Sequence, residues 1–183
     1  MRLYEALGAP QPINWIKDGN NYIGDFSAGG SNYKMRIELA NRRFGVMNHT
    51  IANIAFQRID QNNTPQITLP SNRNTPKPGD VFATVVNGSI DILKQLPNVT
   101  IIIAAVEQEA AETSRKSPAD IQNQRMRIYK NMLVEIRHAL SNQFEQIIPD
   151  VHLTGGHIAS FLIHKNLPQD QINHLVKLAV NKW

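Results

Sequence analysis

The amino-acid sequence predicts a mixed α/β fold, or α+β, with helices packed on the faces of one twisted sheet. Two observations carry this prediction. Residues 80–153 read in succession as helix, buried strand, long helix and strand, and residues 1–60 read as an antiparallel meander. At 183 residues the chain is long enough for one well-buried core and short for two, so we expect a single domain over residues 1–183.

Turn residues and alternating side chains predict the meander. Residues 13–17 and 22–27 flank Asp18-Gly19-Asn20-Asn21, where Gly and Asn tolerate the positive φ of a tight hairpin turn. Residues 33–39 then alternate apolar and polar side chains, which is typical of a strand with one solvated face. Residues 44–59 supply another strand or a bent pair, so the amino-terminal half of the sheet is expected to be antiparallel.

The helix and strand core follows a loop at residues 61–79, which contain four prolines. Helical spacing of apolar residues predicts a helix that begins at Asp80. The run from Val99 to Val106 is rich in β-branched residues and apolar on both faces, which favours a strand covered on both sides in a largely parallel region. A second helix is predicted from Ser117, a capping residue followed by a proline and an acid, to about Gln146.

The carboxyl-terminal residues complete the predicted fold. Residues 147–153 are expected to form a strand and Gly155-Gly156 a turn. Residues 154–183 are otherwise assigned to C-terminal helices, the first over residues 157–165 and the second after Pro168.

Composition excludes several classes of function. The chain has no cysteine, which excludes disulfides, thiolate zinc sites and cysteine nucleophiles. His152 and His157 flank a Gly-Gly turn at a spacing that is not typical of metal ligands, so no metal site is predicted. No apolar run reaches the roughly 20 residues that span a bilayer, and residues 1–12 lack the apolar core of a signal peptide. We therefore expect a soluble, cytoplasmic protein with no membrane partner.

Positive charge is concentrated in one segment. The net charge is +4 with a pI near 9.5, and the segment from Arg115 to His138 by itself carries a charge of +4. Arginine binds phosphate in bidentate geometry, so this segment is a candidate phosphate-binding ridge, although an ordinary solvated helix face is the alternative. The residues predicted to bind nucleic acid are Arg115, Lys116, Arg127, Lys130, Arg137, Arg42 and Arg43. Aromatic residues that could stack on bases are Tyr22, Phe26, Tyr33 and Phe44.

Four short segments carry a resemblance to known proteins. They are Leu3-Tyr4-Glu5-Ala6-Leu7, the strand Tyr22-Ile23-Gly24-Asp25-Phe26 after Trp15, the helix start Val81-Phe82-Ala83-Thr84-Val85, and Arg125-Met126-Arg127-Ile128-Tyr129-Lys130-Asn131-Met132. Their order over residues 1–140 resembles a group of uncharacterised tailed-phage proteins. The layout of a meander followed by strand, helix, strand, helix and strand is also similar to the GCN5-related N-acetyltransferase (GNAT) superfamily. The resemblance implies a GNAT-like mixed twisted sheet.

The resemblance also implies where acyl-CoA would bind. GNAT enzymes hold the pyrophosphate of acetyl-CoA on the amides of a glycine-rich loop at the start of the first core helix. The matching residues here are Lys77 and Gly79, and Tyr129 matches the tyrosine that acts as general acid towards the departing thiolate. Two prolines in this loop lack amide donors, however, and Asp80 would place a carboxylate beside the anion.

Three functions are open at this point. The first hypothesis is a phage-encoded, non-enzymatic accessory protein in the host-cell cytoplasm, which binds nucleic acid, with RNA favoured, and has no catalytic residue and no cofactor. The second is an N-acyltransferase that uses acetyl-CoA, with Tyr129 as acid and Lys77 and Gly79 at the pyrophosphate. The third is a virion protein or a host-factor-binding protein.

Overall fold

The computed structural model describes residues 8–44, 47–59, 62, 78–105 and 117–182 of the chain. Within them the strands are β1 (Asn14–Asp18), β2 (Asn21–Ala28), β3 (Ser31–Phe44), β4 (Met47–Ile59), β5 (Val99–Ala105), β6 (Phe144–His152) and β7 (Ile158–His164). The helices are α1 (Pro78–Leu93), α2 (Pro118–Ala139) and α3 (Gln169–Lys182). The strands form a seven-stranded, mostly antiparallel sheet in the order β1-β2-β3-β4-β5-β7-β6, which confirms the prediction of a mixed α/β fold.

The chain divides into two compact units, and the β3–β4 hairpin contributes residues to both. The first unit comprises residues 1–39 and 53–95, and it contains β1, β2 and α1. The second comprises residues 40–52 and 96–183, and it contains β5, β6, β7, α2 and α3. Each unit therefore has its own combination of strands and helices.

Two glycines bring the sheet and the helix of the first unit close together. The side chain of Ile13 lies against both Gly24 of β2 and Gly88 of α1, and a Cβ atom at either glycine would overlap it. Trp15 contacts the same two glycines from β1. On this face of the sheet β2 and β3 bury Phe26, Tyr33, Met35 and Ile37. Both positions require glycine, because any larger residue would overlap the Ile13 side chain that lies against β2 and α1.

The opposite face of the meander is solvated. The strand register places Ile16 of β1 opposite Ile23 of β2, and Ile23 opposite Arg36 of β3. The Ile16 side chain is 66% exposed, which is unusual for a large aliphatic residue in a strand. Arg36 forms an exposed ion pair with Glu38 at 3.1 Å. The predicted alternation of residues 33–39 is confirmed, because the even-numbered side chains lie on this solvated face.

The strands β5 and β7 form the centre of the second unit. They pair in antiparallel register, from Ile101 opposite Leu162 to Ala105 opposite Ile158. One face of the two strands packs against α3, in a cluster that contains Ile102, Phe161, Ile163, Ile172, Leu175 and Ala179. The helix α2 contacts both strands as well and buries Met132, Leu133 and Ile136. The apolar side chains of these strands are therefore covered on both faces, which agrees with the prediction for the described part of residues 99–106.

Three details predicted for the second unit are wrong. Residues 158–164 form β7 and not part of a helix over residues 157–165, so the segment 154–183 contains one described helix, α3. The segment is buried on both faces, and such a run has neither strand nor helix periodicity. The helix α2 ends at Ala139 and not near Gln146, because a turn follows and Phe144 starts β6. The strand β5 lies beside an antiparallel neighbour, since the β6–β7 hairpin returns the chain next to it.

In the second unit, two buried histidines both contact the Thr100 hydroxyl. His49 Nε2 lies 2.7 Å from Thr100 Oγ1, and the amide of His164 donates to the same oxygen at 3.4 Å. The two imidazole rings are 6.2 Å apart. Burial and then the neighbouring His164 lower the pKa of His49 to about 4, and burial also lowers the pKa of His164. The folded protein therefore keeps both imidazoles neutral at pH values where exposed histidines are protonated.

This pair predicts a loss of stability in mild acid. Unfolded histidine has a pKa of about 6.5, so between about pH 6.5 and pH 4 the unfolded state binds more protons than the folded state, and the free energy of unfolding falls as the pH falls. We expect urea unfolding at pH 7 and pH 4.5 to show this fall. The fall should be smaller by about 2 kcal/mol in His49→Gln, which cannot take up the proton.

The matched control is His152→Gln, which removes an exposed histidine. It should show the pH dependence of the parent. Equal falls in stability for the parent and His49→Gln would contradict the assignment of the acid sensitivity to the buried pair.

Candidate nucleic-acid interface

The helix α2 begins at the capping box that the sequence predicts. Ser117 Oγ accepts a hydrogen bond from the Asp120 amide at 3.2 Å, and the Asp120 carboxylate accepts one from the Ser117 amide at 3.3 Å. Pro118 occupies the first helical position. These bonds satisfy amides that a helix start otherwise leaves without a partner. The helix that carries the candidate basic residues therefore has a well-defined start.

The helix α2 separates an apolar face from a polar one. Its buried residues include Met126, Met132, Leu133 and Ile136. On the polar side Arg127 is exposed, and Lys130 and Arg137 are partly exposed. Because an α-helix rises about 1.5 Å per residue, Arg127 and Arg137 are separated by about 15 Å along the axis. We call Arg127, Lys130 and Arg137 the basic ridge. It is long enough to contact more than one phosphate of a strand.

Lys130 of the basic ridge has an internal partner. Its Nζ atom lies 2.9 Å from Oδ2 of Asp150 on β6, and the two side chains are 36% and 47% exposed. Asp150 has a φ of 54°, and the β6–β7 register shifts between Ile148 and Val151. A bulge of this kind redirects a side chain, and here the carboxylate contacts α2. An exposed ion pair contributes at most about 1 kcal/mol, so a phosphate can compete with Asp150 for Lys130.

Arg127 and Arg137 differ from Lys130 in this respect. Neither guanidinium forms a hydrogen bond or an ion pair with any residue that the structure describes. Among the described residues, therefore, no carboxylate competes with a phosphate group for the guanidinium donors of these two arginines. These two arginines are consequently the part of the basic ridge most open to an anionic partner.

Tyr129 lies between the two faces of α2 and is half-buried. Burial raises the pKa of Tyr129, and the nearby Arg125 guanidinium opposes that rise. The phenol therefore stays protonated at neutral pH. This state suits either a packed side chain or a general acid, so the geometry of Tyr129 alone does not separate the two roles.

The start of α1 is covered by an earlier part of the chain. The Ala9 amide donates to Asp80 Oδ1 at 3.0 Å, and the Gln11 amide donates to Thr84 Oγ1 at 2.9 Å. A Cβ atom on Gly8 would lie 2.6 Å from the Asp80 nitrogen, so the two backbones are in direct contact. In the GNAT resemblance this is the place of the acyl-CoA pyrophosphate, beside Gly79. Here a carboxylate and residues 8–11 already lie against the first turn.

For several residues predicted from the sequence, the described part of the structure places no side chain on the basic ridge. Lys77, Arg115 and Lys116 lie outside the described residues. Arg42 and Arg43 belong to β3. The candidate base-stacking rings of Phe26 and Tyr33 are 5% and 8% exposed and stack on each other with centroids 5.1 Å apart. They pack in the core of the first unit and offer no platform for a base.

A shallow groove on the solvated sheet face is a weaker candidate surface. Its volume is about 210 Å³, and its lining includes Lys34, Arg36 and Glu38 of β3. Pockets for small molecules are usually larger, about 300 Å³ or more. The Arg36–Glu38 ion pair also neutralises one of its two cations. The basic ridge on α2 therefore offers more uncompensated positive charge.

Sequence reasoning missed the role of Asp150. A proline inside a strand marks an edge or a bulge, and Pro149 precedes Asp150 in the predicted strand 147–153. That signal indicates an irregular backbone at this position. It does not indicate which side chain the carboxylate would contact, because the pairing with Lys130 spans 20 residues.

Comparison of the chain with protein-family models, with curated proteins and with solved structures finds no match. Among the residues that the structure describes, no group of three or more His, Cys, Asp or Glu side chains is placed to hold a metal ion. No described helix is both long and apolar enough to cross a membrane.

Proposed function

We propose that this chain is a phage-encoded, non-enzymatic accessory protein that binds nucleic acid, with RNA as the favoured partner, in the host-cell cytoplasm. The binding surface is the basic ridge of α2. The observation that carries the proposal is the exposure of Arg127 and the partial exposure of Arg137, neither of which pairs with an acid among the described residues.

The chemistry of the basic ridge favours contact with the sugar-phosphate backbone. Exposed guanidinium groups bind phosphate oxygens and release condensed counterions, which supplies affinity without reading the sequence. The described aromatic residues Phe26 and Tyr33 are buried, so base stacking is not a source of specificity at those positions. We therefore expect weak sequence preference and strong dependence on salt. Single-stranded RNA is flexible, so it can adapt to the surface of α2 more easily than a stiff duplex can.

The strand order and the helices that follow β4 and β5 support a GNAT-like scaffold for this function. Such a scaffold does not by itself imply catalysis. The contact of residues 8–11 with the start of α1 supports the non-enzymatic proposal, because Asp80 and the Ala9 backbone occupy space that a pyrophosphate would need.

The second candidate function is acyl-CoA-dependent N-acyl transfer. What favours it is the position of Tyr129, which matches the general-acid tyrosine of the GNAT resemblance, and its protonated phenol is compatible with that role. In this reading Tyr129 protonates the thiolate that leaves when the acyl group moves to an amine. Acetyl-CoA would then be the cofactor, with Gly79 and Lys77 near its pyrophosphate.

The basic ridge predicts a specific salt dependence. Replacing Arg127 and Arg137 together by Gln should weaken binding to single-stranded RNA. It should also make the negative slope of log affinity against log salt shallower by about 1.4, since each contact with a single strand contributes about −0.7 to that slope. Fluorescence anisotropy over a salt series measures both quantities. The fold should survive, because substitutions at exposed positions usually change stability little.

The matched control replaces Lys165 and Lys177 by Gln. It removes the same number of positive charges from exposed positions of the second unit that are not part of α2. Its RNA binding should stay close to that of the parent. An equal loss in both double variants would mean that net charge and not the basic ridge drives binding, and no RNA binding by the parent at low salt would refute the proposed function.

The Lys130–Asp150 pair predicts a gain of affinity. Asp150→Asn removes the internal competitor for Lys130, so RNA should bind several-fold more tightly and the negative salt slope should become steeper by about 0.7. The control is Asp91→Asn, which frees Lys94 from a similar exposed pair at 2.7 Å and changes the net charge equally. Only the first variant should gain. Equal RNA affinities for the two variants would show that Lys130 is not part of the binding surface.

The cover over α1 predicts that acetyl-CoA does not bind. Isothermal titration calorimetry with acetyl-CoA should give no saturable heat at tens of micromolar, because the anion would meet the Asp80 carboxylate. Lys77→Ala serves as the comparison. A micromolar isotherm that weakens in this variant would favour the acyltransferase function over the proposed one.

A further inference from the structure

The edge strand β1 is unusually open to pairing. It is the first strand in the sheet order and pairs with β2 alone among the described strands. Its register with β2 is continuous from Asn14 opposite Asp25 to Asp18 opposite Asn21, without a bulge. Edge strands in soluble proteins are usually blocked by prolines, bulges or a covering element, since their free amides and carbonyls pair readily.

The other edge of the same sheet is blocked in this way. The strand β6 contains Pro149, which has no amide donor, and its register with β7 shifts twice. The residues of β1, Asn14-Trp15-Ile16-Lys17-Asp18, contain no proline and their register has no bulge, so the charged side chain of Lys17 is the main protection that this edge carries. Ile16 at the centre of β1 is 66% exposed, and the described helix of this unit, α1, contacts Trp15 on the opposite face. The open edge thus coincides with an exposed aliphatic side chain.

We propose that β1 pairs with β1 of a second copy of this chain, in antiparallel register around a two-fold axis at Ile16. The two sheets then continue into one another across a symmetric interface. This inference is independent of the proposed function, because the pairing strand β1 lies in the first unit and the basic ridge lies in the second.

The sequence of β1 is complementary to itself in this register. Ile16 lies opposite Ile16 of the second copy on the solvated face, which removes both side chains from water. Asn14 lies opposite Asp18, so an amide donor meets a carboxylate acceptor. Trp15 lies opposite Lys17, and a lysine over an indole is a favourable cation–π arrangement. Lys17 already lies over the ring of Tyr22, 5.6 Å from its centroid, so the ammonium group is directed towards aromatic side chains.

The neighbouring symmetric registers are less favourable. If the two-fold axis lies at Lys17, the Lys17 residues of the two copies face each other, which brings two ammonium groups together. If the axis lies at Trp15, Pro12 enters the pairing and Ile16 lies opposite Asn14. The register centred on Ile16 is the one that satisfies all five residues of β1. A single register of this kind is what a specific interface requires.

The proposed β1–β1 interface is small, so we expect its affinity to be low. Two strands of five residues bury less than the roughly 1,200 Å² that is typical of stable complexes. We therefore expect a reversible dimer that forms at tens to hundreds of micromolar and dissociates on dilution. Sedimentation velocity over a concentration series of the full chain measures this association.

A single cysteine tests the symmetry directly, because the chain has no other cysteine. In Ile16→Cys the two Cβ atoms across the axis should lie about 4.5–5.5 Å apart, close to the distance that a disulfide bridges. Oxidation should convert most of this variant into a covalent dimer within the time in which the control remains largely monomeric. The control is Leu178→Cys, which introduces a cysteine at a 44% exposed position on α3.

Charge at the same position should abolish association. Ile16→Lys places two ammonium groups on the axis and should sediment as a monomer at every concentration, whereas Leu178→Lys should associate like the parent. Circular dichroism verifies that both variants fold, which is expected for exposed positions. A parent that stays monomeric at hundreds of micromolar, or equal cross-linking of the two cysteine variants, would overturn the proposal.

Discussion

The two-sided burial of β5 and β7 is the constraint on which the second unit depends. Ile101, Ile102 and Ile103 are consecutive residues of β5, and all three are buried, so neither face of this strand can remain in water. The helix α3 covers the face that carries Ile102 and Phe161. The helix α2 contacts the same strands and presents its other side to solvent. The position of the basic ridge is therefore a consequence of where β5 and β7 need cover.

Local sequence signals account for most of the fold. The Gly19 hairpin, the alternation in β3 and the Ser117 capping box depend on neighbouring residues, so their chemistry can be interpreted without a structure. The sequence predicts a helix where the structure has β7, and the residues Ile158–His164 show no periodicity that would distinguish the two because almost all of them are buried. Its identity depends on pairing with β5 and β6, and such pairing is not encoded in any short stretch of sequence.

The residues of the candidate site also differ in whether the sequence alone could predict their role. Arg127 and Arg137 could be selected from the sequence because helical spacing alone places them on one side of α2. The pairing of Lys130 with Asp150 could not, since it requires the β6 bulge and the approach of β6 to α2. The contact of Ala9 with Asp80 is similar, because it joins residues 71 positions apart. Charge patterns thus predict which residues are cationic, whereas tertiary packing decides which of them remain available.

The irregular strand β6 has a consequence for growth of the sheet. Many proteins with exposed strands are at risk of forming fibres, because each added molecule presents a fresh edge to the next one. Pro149 and the bulge at Asp150 deprive β6 of a regular ladder of donors and acceptors, so that end of the sheet cannot serve as a template. If β1 pairs as proposed, an irregular β6 would limit the assembly to two copies. Under that proposal, the backbone irregularity that holds the Asp150 carboxylate near Lys130 would also stop the sheet from growing further.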